Sequence, residues 1–458
     1  MKPKLLSPEP VSATCRSTGR WGFGFGRRFF LFLVLGTLWS IPAFWNTRFL
    51  LVTAGWDAFV IIAWMLDLRR LPKPGNLRLE RRWNGPPSLR NNVEVVLQLQ
   101  NYGESAIDCR LLDDVPGCLR EDAAEMELKV PGRSSEVQSY VVRPLQRGEV
   151  EVGDAYLRYQ SVAGFAERWA KATLKQTIRI FPDLEEARRQ NIFLNRARQI
   201  ELEKRLVRQR GMGREFESLR EFREGDEFRN ICWTATARRG KLVSRLFQVE
   251  RSQAVWLVID AGRLLRARVG ELSKLDLAVN AGLSLAQIAL YSGDRVGLLV
   301  YGRKIQQRVG LGRGLPHMRQ IMESLSSAHE EVAEADHLLA ASFLLQLQKQ
   351  RSLIIWITDL ADTSMTPEVV ESASQILSKH LLLFIAIAQA DLMVQAGKYP
   401  ENAEQMYDMV AAQEMVQRRE GLLTRIREKG ALALEVNPGR LTTTLVNQYL
   451  EIKERSLI

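Results

Sequence analysis

The sequence predicts a multi-domain chain with an N-terminal transmembrane helical hairpin, a small all-β sandwich and a doubly wound α/β domain. Two apolar runs, 29–45 and 49–66, lie close together near the N-terminus. Short alternating segments separated by turn residues follow as far as about residue 181, and from residue 254 strand-like and helix-like segments alternate. A chain of 458 residues is also too long for one ordinary domain.

The two apolar runs predict a transmembrane hairpin over residues 29–68. The first run carries no charge, and the second is apolar except for Thr53 and Asp57. Each is near the lower end of the about 17–25 residues that cross a bilayer. A cleaved signal peptide fits poorly, because a second apolar run follows at once, and buried soluble helices are a further alternative. Residues 1–28 are polar and basic, and we expect a flexible cytoplasmic tail.

Basic residues flank the predicted hairpin on its outer sides. Arg48 is the only basic residue between the two runs, and the flanking ones are Lys2, Lys4, Arg16, Arg20, Arg27, Arg28, Arg69, Arg70, Lys73, Arg78, Arg81 and Arg82. The positive-inside rule then puts both termini and the soluble domains in the cytoplasm. The four cysteines form no CxxC pair, which agrees with a reducing compartment. The net charge of +11 is not concentrated in one block, so we expect a membrane surface and no nucleic acid as partner.

Residues 76–182 read as an all-β sandwich of immunoglobulin type. Five strand-like segments are separated by turn residues, and they cover residues 93–99, 127–130, 137–142, 150–159 and 173–181. The region shows no cluster of acidic residues and histidines, and no nucleophile with a base. We therefore expect a spacer or docking module.

Residues 183–253 are predicted to be a charged connector helix, over 184–210, followed by an arginine-rich block. The block interleaves acidic, basic and aromatic side chains, and its candidate interaction residues are Arg214, Arg220, Arg223, Arg229, Trp233, Arg238 and Arg239. Two interpretations stay open. The block is either a solvated, salt-bridged lead-in of little energetic value, or a docking face for an acidic partner.

Residues 254–458 predict the α/β domain. The run 254–260 is apolar until Asp260, which is typical of a buried parallel strand, and a second such strand over 352–359 ends at Asp359. Ligands of open α/β sheets bind at the carboxyl ends of strands. The two aspartates are therefore the first candidates for a ligand site.

The stretch GREFESLREFREGDEFRNICWTATARRGKLVSRLFQVERSQAVWLVIDAGR, residues 213–263, resembles the signature of a bacterial family, domain of unknown function 58. Residues 147–153 with 156–158, and the end at 441–453, resemble it too, so the likeness runs over nearly the whole chain. The resemblance implies a protein anchored in the bacterial cytoplasmic (inner) membrane, with a von Willebrand factor A-like (Rossmann-like) domain. It also implies a MoxR-type AAA+ ATPase and unknown client proteins as partners, in systems that assemble or mature other proteins.

Von Willebrand factor A domains often hold a metal ion with Asp-x-Ser-x-Ser, a threonine from a later loop and a further aspartate. Here the first loop has Asp260, but Gly262 and Leu264 stand where the serines would be. The loop 310–315 has no threonine, and Asp359 has Asp362 nearby. We expect no metal and no other cofactor, with Mg²⁺ at Asp260 and Asp359 as the alternative. Asp260 would instead accept backbone hydrogen bonds or pair with an arginine, and Arg263 would offset the negative charge.

Signals for an enzyme are weak. His329-Glu330 lacks the second histidine of an HExxH motif, and Gly310, Gly312 and Gly314 are not followed by GKS or GKT. No catalytic residue is therefore predicted.

The leading hypothesis is a non-enzymatic, membrane-anchored scaffold or adaptor that binds an ATPase or client through its A-like domain. The alternatives are a metal-dependent ligand-binding module of adhesion type with a degenerate site, and an unidentified enzyme.

Overall fold

A computed structural model describes residues 7–19, 22–39, 41, 46, 48–183, 215–223, 228, 231–248, 253–360 and 366–455. The chain divides into two compact units, Met1–Asp183 and Leu184–Ile458, called unit 1 and unit 2 below. The first is rich in antiparallel sheet, and the second is mixed α/β. The predicted connector helix over 184–210 lies outside the described residues.

Unit 1 is built from antiparallel strands arranged mainly in two sheets. One sheet has the order β1-β4-β5-β8, the other has the order β2-β11-β10-β6-β7 with β3 also on β11, and β9 pairs with β12. The strands are β1 Val11–Thr14, β2 Arg16–Ser17, β3 Phe23–Phe25, β4 Leu77–Trp83, β5 Val93–Asn101, β6 Ile107–Asp113, β7 Ala124–Val130, β8 Ser134–Val142, β9 Gly148–Val152, β10 Ala155–Ser161, β11 Ala166–Ala172 and β12 Gln176–Ile180.

Alternating burial along the strands of unit 1 produces its core. In β4 and β5 every second residue is buried, as expected for sheets with one face packed inward. One buried position of β4 is Arg81, whose Nε donates to Asp113 Oδ2 at 3.0 Å. The hydroxyl of Tyr140 donates to the same oxygen at 2.6 Å, and Arg81 Nη1 donates to the carbonyl of Leu174 at 2.9 Å. The buried guanidinium is thus paired and hydrogen-bonded, as burial of a charge requires.

The N-terminal segment belongs to this sheet-rich unit. β1 pairs with β4, whereas β2 and β3 pair with β11, so the segment contributes to both main sheets. Cys15 is buried, and its backbone N–H donates to the carbonyl of Leu77 at 2.9 Å. The prediction of a flexible tail over residues 1–28 is therefore wrong for the strand segments. The pairing is long-range, and basic and small residues around the strands hide it from a composition-based prediction.

Two helices follow β3, α1 Arg27–Thr37 and α2 Phe49–Arg70. They pack closely at Gly36, where a Cβ atom would lie only 2.5 Å from Trp56 Cδ1. Trp56 Nε1 also donates to the carbonyl of Phe32 at 2.9 Å. Within the described part of the chain one helical segment, Phe49–Asn76, is long and apolar enough to cross a membrane. The first predicted span, 29–45, is described as an α-helix only to Thr37, and most of its last residues lie outside the description.

Unit 2 contains a six-stranded sheet with the order β19-β18-β15-β20-β21-β22, parallel except for β19, and two small antiparallel pairs. The strands are β13 Glu215–Glu221, β14 Val243–Gln248, β15 Ala254–Asp260, β16 Arg268–Val269, β17 Leu272–Ser273, β18 Arg295–Tyr301, β19 Ile305–Gly312, β20 Leu353–Thr358, β21 Leu381–Ile387 and β22 Leu432–Val436. The helices are α3 Trp233–Arg239, α4 Lys274–Tyr291, α5 Gly314–Ser326, α6 His337–Leu347, α7 Thr366–Leu377, α8 Ala390–Gly397, α9 Ala403–Glu428 and α10 Leu441–Glu454.

Helices cover both faces of the six-stranded sheet. Side chains of α6, α7 and α9 share a core with Trp256 and Val258 of β15. The helix α4 lies on the other face, because a Cβ atom on Gly282 would be 3.0 Å from Ile259 Cδ1. With both faces covered, β15 is buried along its whole length, and this explains its continuous apolar sequence. The long helix α9 is preceded by a separate short helix, α8.

The strand order reverses direction at β15. From β15 the chain proceeds to β18 on one side, and after β19 it returns to β20 on the other side. Such a reversal opens a crevice at the carboxyl ends of the two strands, where ligands of α/β sheets bind. Here those ends are Asp260 and Thr358, which is followed directly by Asp359.

Candidate functional site

Asp260, at the end of β15, is buried and hydrogen-bonded only to neutral groups in the contacts described. The backbone N–H of Gly262 donates to Oδ1 at 2.7 Å, and the hydroxyl of Thr358 donates to Oδ2 at 2.6 Å. Burial raises the pKa of Asp260, and the nearby His337 and the two hydrogen bonds oppose that rise. The carboxyl thus accepts a backbone hydrogen bond, one of the two roles expected from the sequence.

Asp359 is held by two cations. Lys274 Nζ lies 2.6 Å from Oδ2, and Arg419 Nη2 lies 2.9 Å from Oδ1. The backbone N–H of Leu360 donates to Oδ1 at 2.7 Å. All three charged side chains are buried, so the carboxylate and its two cations attract one another with little screening by water. Arg263, which was expected to offset the negative charge here, instead pairs at the surface with Glu334, 2.8 Å away.

Lys274 is the first residue of α4. Ser273 caps this helix by accepting from the backbone N–H of Asp276 at 3.1 Å, and Asp276 accepts from the N–H of Ser273 in return. A positive side chain is unfavourable at a helix N-terminus, because the helix dipole is positive there. The ion pair with Asp359 offsets that repulsion and explains why a lysine can be buried at this point.

Arg419, from α9, ties together the carboxyl ends of three strands. Besides Asp359 it contacts Glu435 of β22, with Nε at 2.8 Å from Oε1. Its Nη2 donates to the carbonyl of Ile387 at 2.9 Å, and its Nη1 donates to the carbonyl of Leu360. A guanidinium has five N–H groups in a fixed plane, which suits this multiple contact. Neither Lys274 nor Arg419 was singled out from the sequence.

A buried aromatic network adjoins Asp260. Trp356 Nε1 donates to the hydroxyl oxygen of Tyr301 at 2.6 Å, and this oxygen lies 2.8 Å from Nδ1 of His337. Burial raises the pKa of Tyr301 well above its ordinary value, so the phenol keeps its proton. Because Trp356 donates to the oxygen, the phenol proton is available for Nδ1 of His337. Sequence reasoning missed this network, because its members are far apart along the chain.

The crevice holds a cavity of about 40 Å³, large enough for a water molecule. Asp260, Asp359 and His337 line it together with apolar side chains of α7 and α9. The Asp260 loop is packed tightly here, because a Cβ atom on Gly262 would lie 2.7 Å from the backbone nitrogen of Ala335. A serine ligand at this position would therefore need the loop to move.

These residues do not fit a divalent metal ion. Mg²⁺ needs several open oxygen ligands, and both oxygens of Asp359 already face cationic groups. The raised pKa of Asp260 also weakens it as a ligand. Within the described ranges no three His, Cys, Asp or Glu residues are grouped as a metal site, and Asp362 lies outside those ranges.

The structure places part of the arginine-rich block on a short exposed helix. Trp233 opens α3 and is 67% exposed, and Arg238 and Arg239 form its last turn, where positive charge suits the helix dipole. The helix ends at Gly240, whose φ of 66° is a left-handed conformation that favours glycine.

The other members of the block are distributed around this helix in the chain. Arg220 belongs to β13 and Arg223 follows that strand, whereas Arg214 and Arg229 lie outside the described residues. Phe228, which was not predicted as a site residue, is 76% exposed, and its ring centroid is 5.6 Å from that of Phe222. In the sequence, the only signal for Phe228 is an aromatic residue placed among arginines.

Comparison with known proteins gives one curated relative. Uncharacterized protein YeaD of Bacillus subtilis (strain 168) is 24% identical over 234 residues, which cover 50% of this chain and 54% of that protein. The chain thus spans about half the length of the curated relative it matches.

The solved structures similar to this chain include two that share low sequence identity with it. The conserved hypothetical protein BatB from Bacteroides thetaiotaomicron is 13% identical with a TM-score of 0.30, covering 44% of this chain and 100% of that one. Proximal thread matrix protein 1 from the mussel byssus is 10% identical with a TM-score of 0.29, covering 43% of this chain and 46% of that one. Residues 218–399 match the family described as protein of unknown function DUF58, so the predicted resemblance is confirmed over these residues and this chain carries a DUF58 region.

Proposed function

We propose that the protein is a non-enzymatic scaffold or adaptor anchored in the bacterial cytoplasmic membrane. In this proposal α1 and α2 form the membrane hairpin, with both termini and the soluble domains in the cytoplasm. Unit 1 is an immunoglobulin-like spacer, and the sheet of unit 2 is a von Willebrand factor A-like domain. The partner is a MoxR-type AAA+ ATPase or a client protein. The partner class comes from the family resemblance described above.

One observation carries the proposal: large aromatic side chains of the arginine-rich block are exposed to solvent. Phe228 and Trp233 are 76% and 67% exposed, and Arg238 and Arg239 are exposed on the same short helix as Trp233. Tryptophan and arginine are the residue types that contribute most often to binding energy at protein interfaces. A surface of this composition suits an acidic patch on a partner protein.

The contacts of the crevice support binding through this surface rather than through a metal. Asp359 is satisfied by Lys274 and Arg419, and a partner carboxylate could not reach a metal there as it does at an open coordination position. The crevice thus serves to fix the carboxyl ends of β15, β20, β21 and β22. It keeps the domain rigid while the exposed block binds.

Membrane anchoring is supported by α2 and by its flanking charges. The segment Phe49–Asn76 is apolar and little buried in the fold. Arg69 and Arg70 form the last turn of α2, directly before the chain continues into β4. Under the positive-inside rule this end is cytoplasmic.

The experiment is co-purification of a MoxR-type ATPase with the full chain in detergent, with and without ATP. We expect the unchanged chain to recover the ATPase. The variant Trp233→Ala/Arg238→Glu/Arg239→Glu should lose most of it, because the aromatic anchor and the positive charge are removed together. The matched control Arg351→Glu/Lys379→Glu reverses charge at two other exposed positions of unit 2 and should recover the ATPase normally.

Two results would count against the proposal. The unchanged chain could fail to recover any AAA+ protein in either nucleotide condition. Alternatively, the triple variant and the control variant could recover the same amount, which would exclude the arginine-rich block as the binding surface.

A further inference from the structure

The turn between β10 and β11, residues 162–165, is apolar and lies beside the two helices of unit 1. Val162 is 75% exposed. Phe165 packs against Phe32 of α1, with ring centroids 5.3 Å apart. The turn thus exposes the apolar side chain of Val162 to solvent, next to the apolar helix α1.

Asp67, near the end of α2, fixes the position of this turn. Its Oδ2 accepts from the backbone N–H groups of Phe165 at 3.0 Å and Ala166 at 2.9 Å, and its Oδ1 accepts from the hydroxyl of Ser161. Arg168 Nη2 donates to the carbonyl of Leu68 at 3.1 Å. These contacts hold the turn at a defined height along α2.

The start of α1 holds the turn from its other side. Arg28 Nη1 donates to the carbonyls of Val162 at 3.3 Å and Ala163 at 3.1 Å. Helix α1 rises about 1.5 Å per residue, so Phe32 lies about 6 Å further along the helix than Arg28. Since Phe165 contacts Phe32, the turn extends past the arginine toward the apolar part of the helix.

An aromatic cluster stands next to the turn. Phe25 of β3 lies with its ring centroid 4.4 Å from that of Phe29 and 4.9 Å from that of Trp64, and Trp64 Nε1 donates to the carbonyl of Gly24 at 3.2 Å. Phe25 is itself an exposed side chain. Amphipathic aromatic rings are enriched at membrane–water interfaces, where a polar end meets an apolar body.

Positive charges complete the surface. Arg27 and Arg28 begin α1, Arg69 and Arg70 end α2, and all four side chains are exposed. Such a ring of arginines matches the negative surface potential of a leaflet that contains anionic lipids. The combination of exposed valine, aromatic cluster and arginines at one level fits the boundary between headgroups and acyl chains.

We propose that the turn 162–165 inserts into the headgroup–acyl boundary of an anionic bilayer, as a membrane contact additional to the two helices. The inference rests on the proposed membrane anchoring. Insertion of an apolar element by about 5–10 Å is typical of interfacial segments, and Phe32, which Phe165 contacts, lies about 6 Å further along α1 than Arg28. The contact would fix the tilt of unit 1 on the membrane, because Asp67 and Arg28 leave the turn little freedom to move.

The test uses the full chain reconstituted in vesicles of phosphatidylglycerol and phosphatidylcholine. Single labelling sites are made in a Cys118→Ser background, because the other three cysteines are buried. A polarity-sensitive fluorophore is attached at Val162→Cys, and nitroxide-labelled lipids quench it from shallow or deep positions. The matched control is Val137→Cys on β8, an exposed valine of the same unit, and Leu51→Cys in α2 reports on the helix itself.

We expect a blue-shifted emission and severalfold stronger quenching by shallow nitroxides at position 162 than at position 137. Equal emission and equal quenching at 162 and 137, with strong quenching at 51, would overturn this inference and leave the membrane anchor intact. Absence of quenching at 51 would instead overturn the proposed anchoring together with the inference. A Val162→Asp chain, labelled at Ala163→Cys, should lose the blue shift while its label at 51 is unchanged.

Discussion

At the scale of single residues, two aspartates that end neighbouring strands have different electrostatic surroundings. Asp260 contacts a backbone N–H and a hydroxyl, whereas Asp359 contacts an ammonium and a guanidinium. Burial raises the pKa of Asp260, whereas Asp359 takes part in two ion pairs. The same residue type at the same sheet edge therefore performs two structural roles, and substitutions should separate them.

Asp260→Asn tests the first role through the pH dependence of stability. The pKa of Asp260 is raised in the folded state by burial, so the folded chain binds this proton more tightly than the unfolded chain does. Its favourable contribution is complete below the unfolded pKa and is lost as pH rises through the folded pKa. We expect the unfolding free energy of the unchanged chain, relative to Asp260→Asn, to fall as pH rises above the unfolded pKa of an aspartate, about 3.9. Urea denaturation of both chains at a series of pH values measures it, and a difference independent of pH would contradict the assignment.

Lys274→Met tests the second role. The substitution leaves Asp359 with one cation, and removal of one partner of a buried pair costs about 3–5 kcal/mol. The control is Arg263→Met, which breaks the exposed pair with Glu334 and should cost about 0–1 kcal/mol. Denaturation of both variants, with Asp359→Asn and Lys274→Met/Asp359→Asn to complete a double-mutant cycle, gives the coupling energy. Equal costs for Lys274→Met and Arg263→Met would show that the ion pair between Lys274 and Asp359 does not stabilise this edge of the sheet. Additive costs in the cycle would show the same.

At the scale of elements, the N-terminal strands are the largest departure from expectation. Cys15 lies between β1 and β2, is buried, and its burial raises the thiol pKa to about 12. A thiol with this pKa is almost entirely protonated at neutral pH and reacts slowly. Cys118 is only partly buried and serves as an internal control.

We therefore expect a thiol reagent to modify Cys118 well before Cys15 in the native full chain at neutral pH, and both at similar rates in denaturant. Peptide mapping by mass spectrometry after timed quenching measures the two rates. Modification of Cys15 as fast as Cys118 in the native chain would mean that β1 and β2 are not paired in solution. The variant Val11→Asp, which places a charge in β1, should accelerate modification of Cys15 without changing Cys118.

The last helix, α10, is bound to the central sheet near the amino ends of its strands. Lys453 Nζ lies 2.8 Å from Asp294 Oδ2, and the hydroxyl of Tyr449 donates to the same oxygen at 2.5 Å. Asp294 stands directly before β18, and its Oδ1 accepts from the backbone N–H of Gln253, which precedes β15. One carboxylate thus links the final helix to the starts of two central strands, opposite the edge that holds Asp359.

Strands of the central sheet could be predicted from the sequence because burial on both faces makes them continuous apolar runs. The run 254–260 was predicted with the bounds that β15 has. Strands β4, β6 and β11 were missed, because their outward faces carry charged residues and Arg81 occupies an inward position of β4. A half-buried strand with a polar core residue has no clear alternation to detect.

The candidate site was only half predictable for a related reason. Asp260 and Asp359 were visible because each ends an apolar run. Lys274 is 85 residues from Asp359 and Arg419 is 60 residues from it, so no local pattern connects them. Buried lysine and arginine side chains are uncommon, and a sequence read residue by residue assigns them to the surface.

At the scale of the whole molecule, each unit has its own hydrophobic core. Leu97 belongs to the core of unit 1, and Ile355, on β20, is completely buried in unit 2. Local stability in proteins follows such cooperative cores, and amide hydrogen exchange reports it segment by segment. The division at Asp183 and Leu184 therefore predicts where the effect of a core substitution should be concentrated.

Leu97→Ala should accelerate exchange in β4, β5 and β8, and Ile355→Ala should accelerate it in β15, β20 and β21, because each leaves a cavity costing about 2–5 kcal/mol in its own core. Val137→Ala, at a 55% exposed position of β8, is the matched control and should change stability by no more than about 0.5 kcal/mol. Exchange mass spectrometry of the full chain in detergent measures all three variants. If Leu97→Ala accelerated exchange in β15, β20 and β21 as strongly as in its own sheet, the two cores would unfold as one cooperative unit. The arginine-rich block and the membrane helices would then belong to a single cooperative body, and the adaptor proposal would have to account for coupling between them.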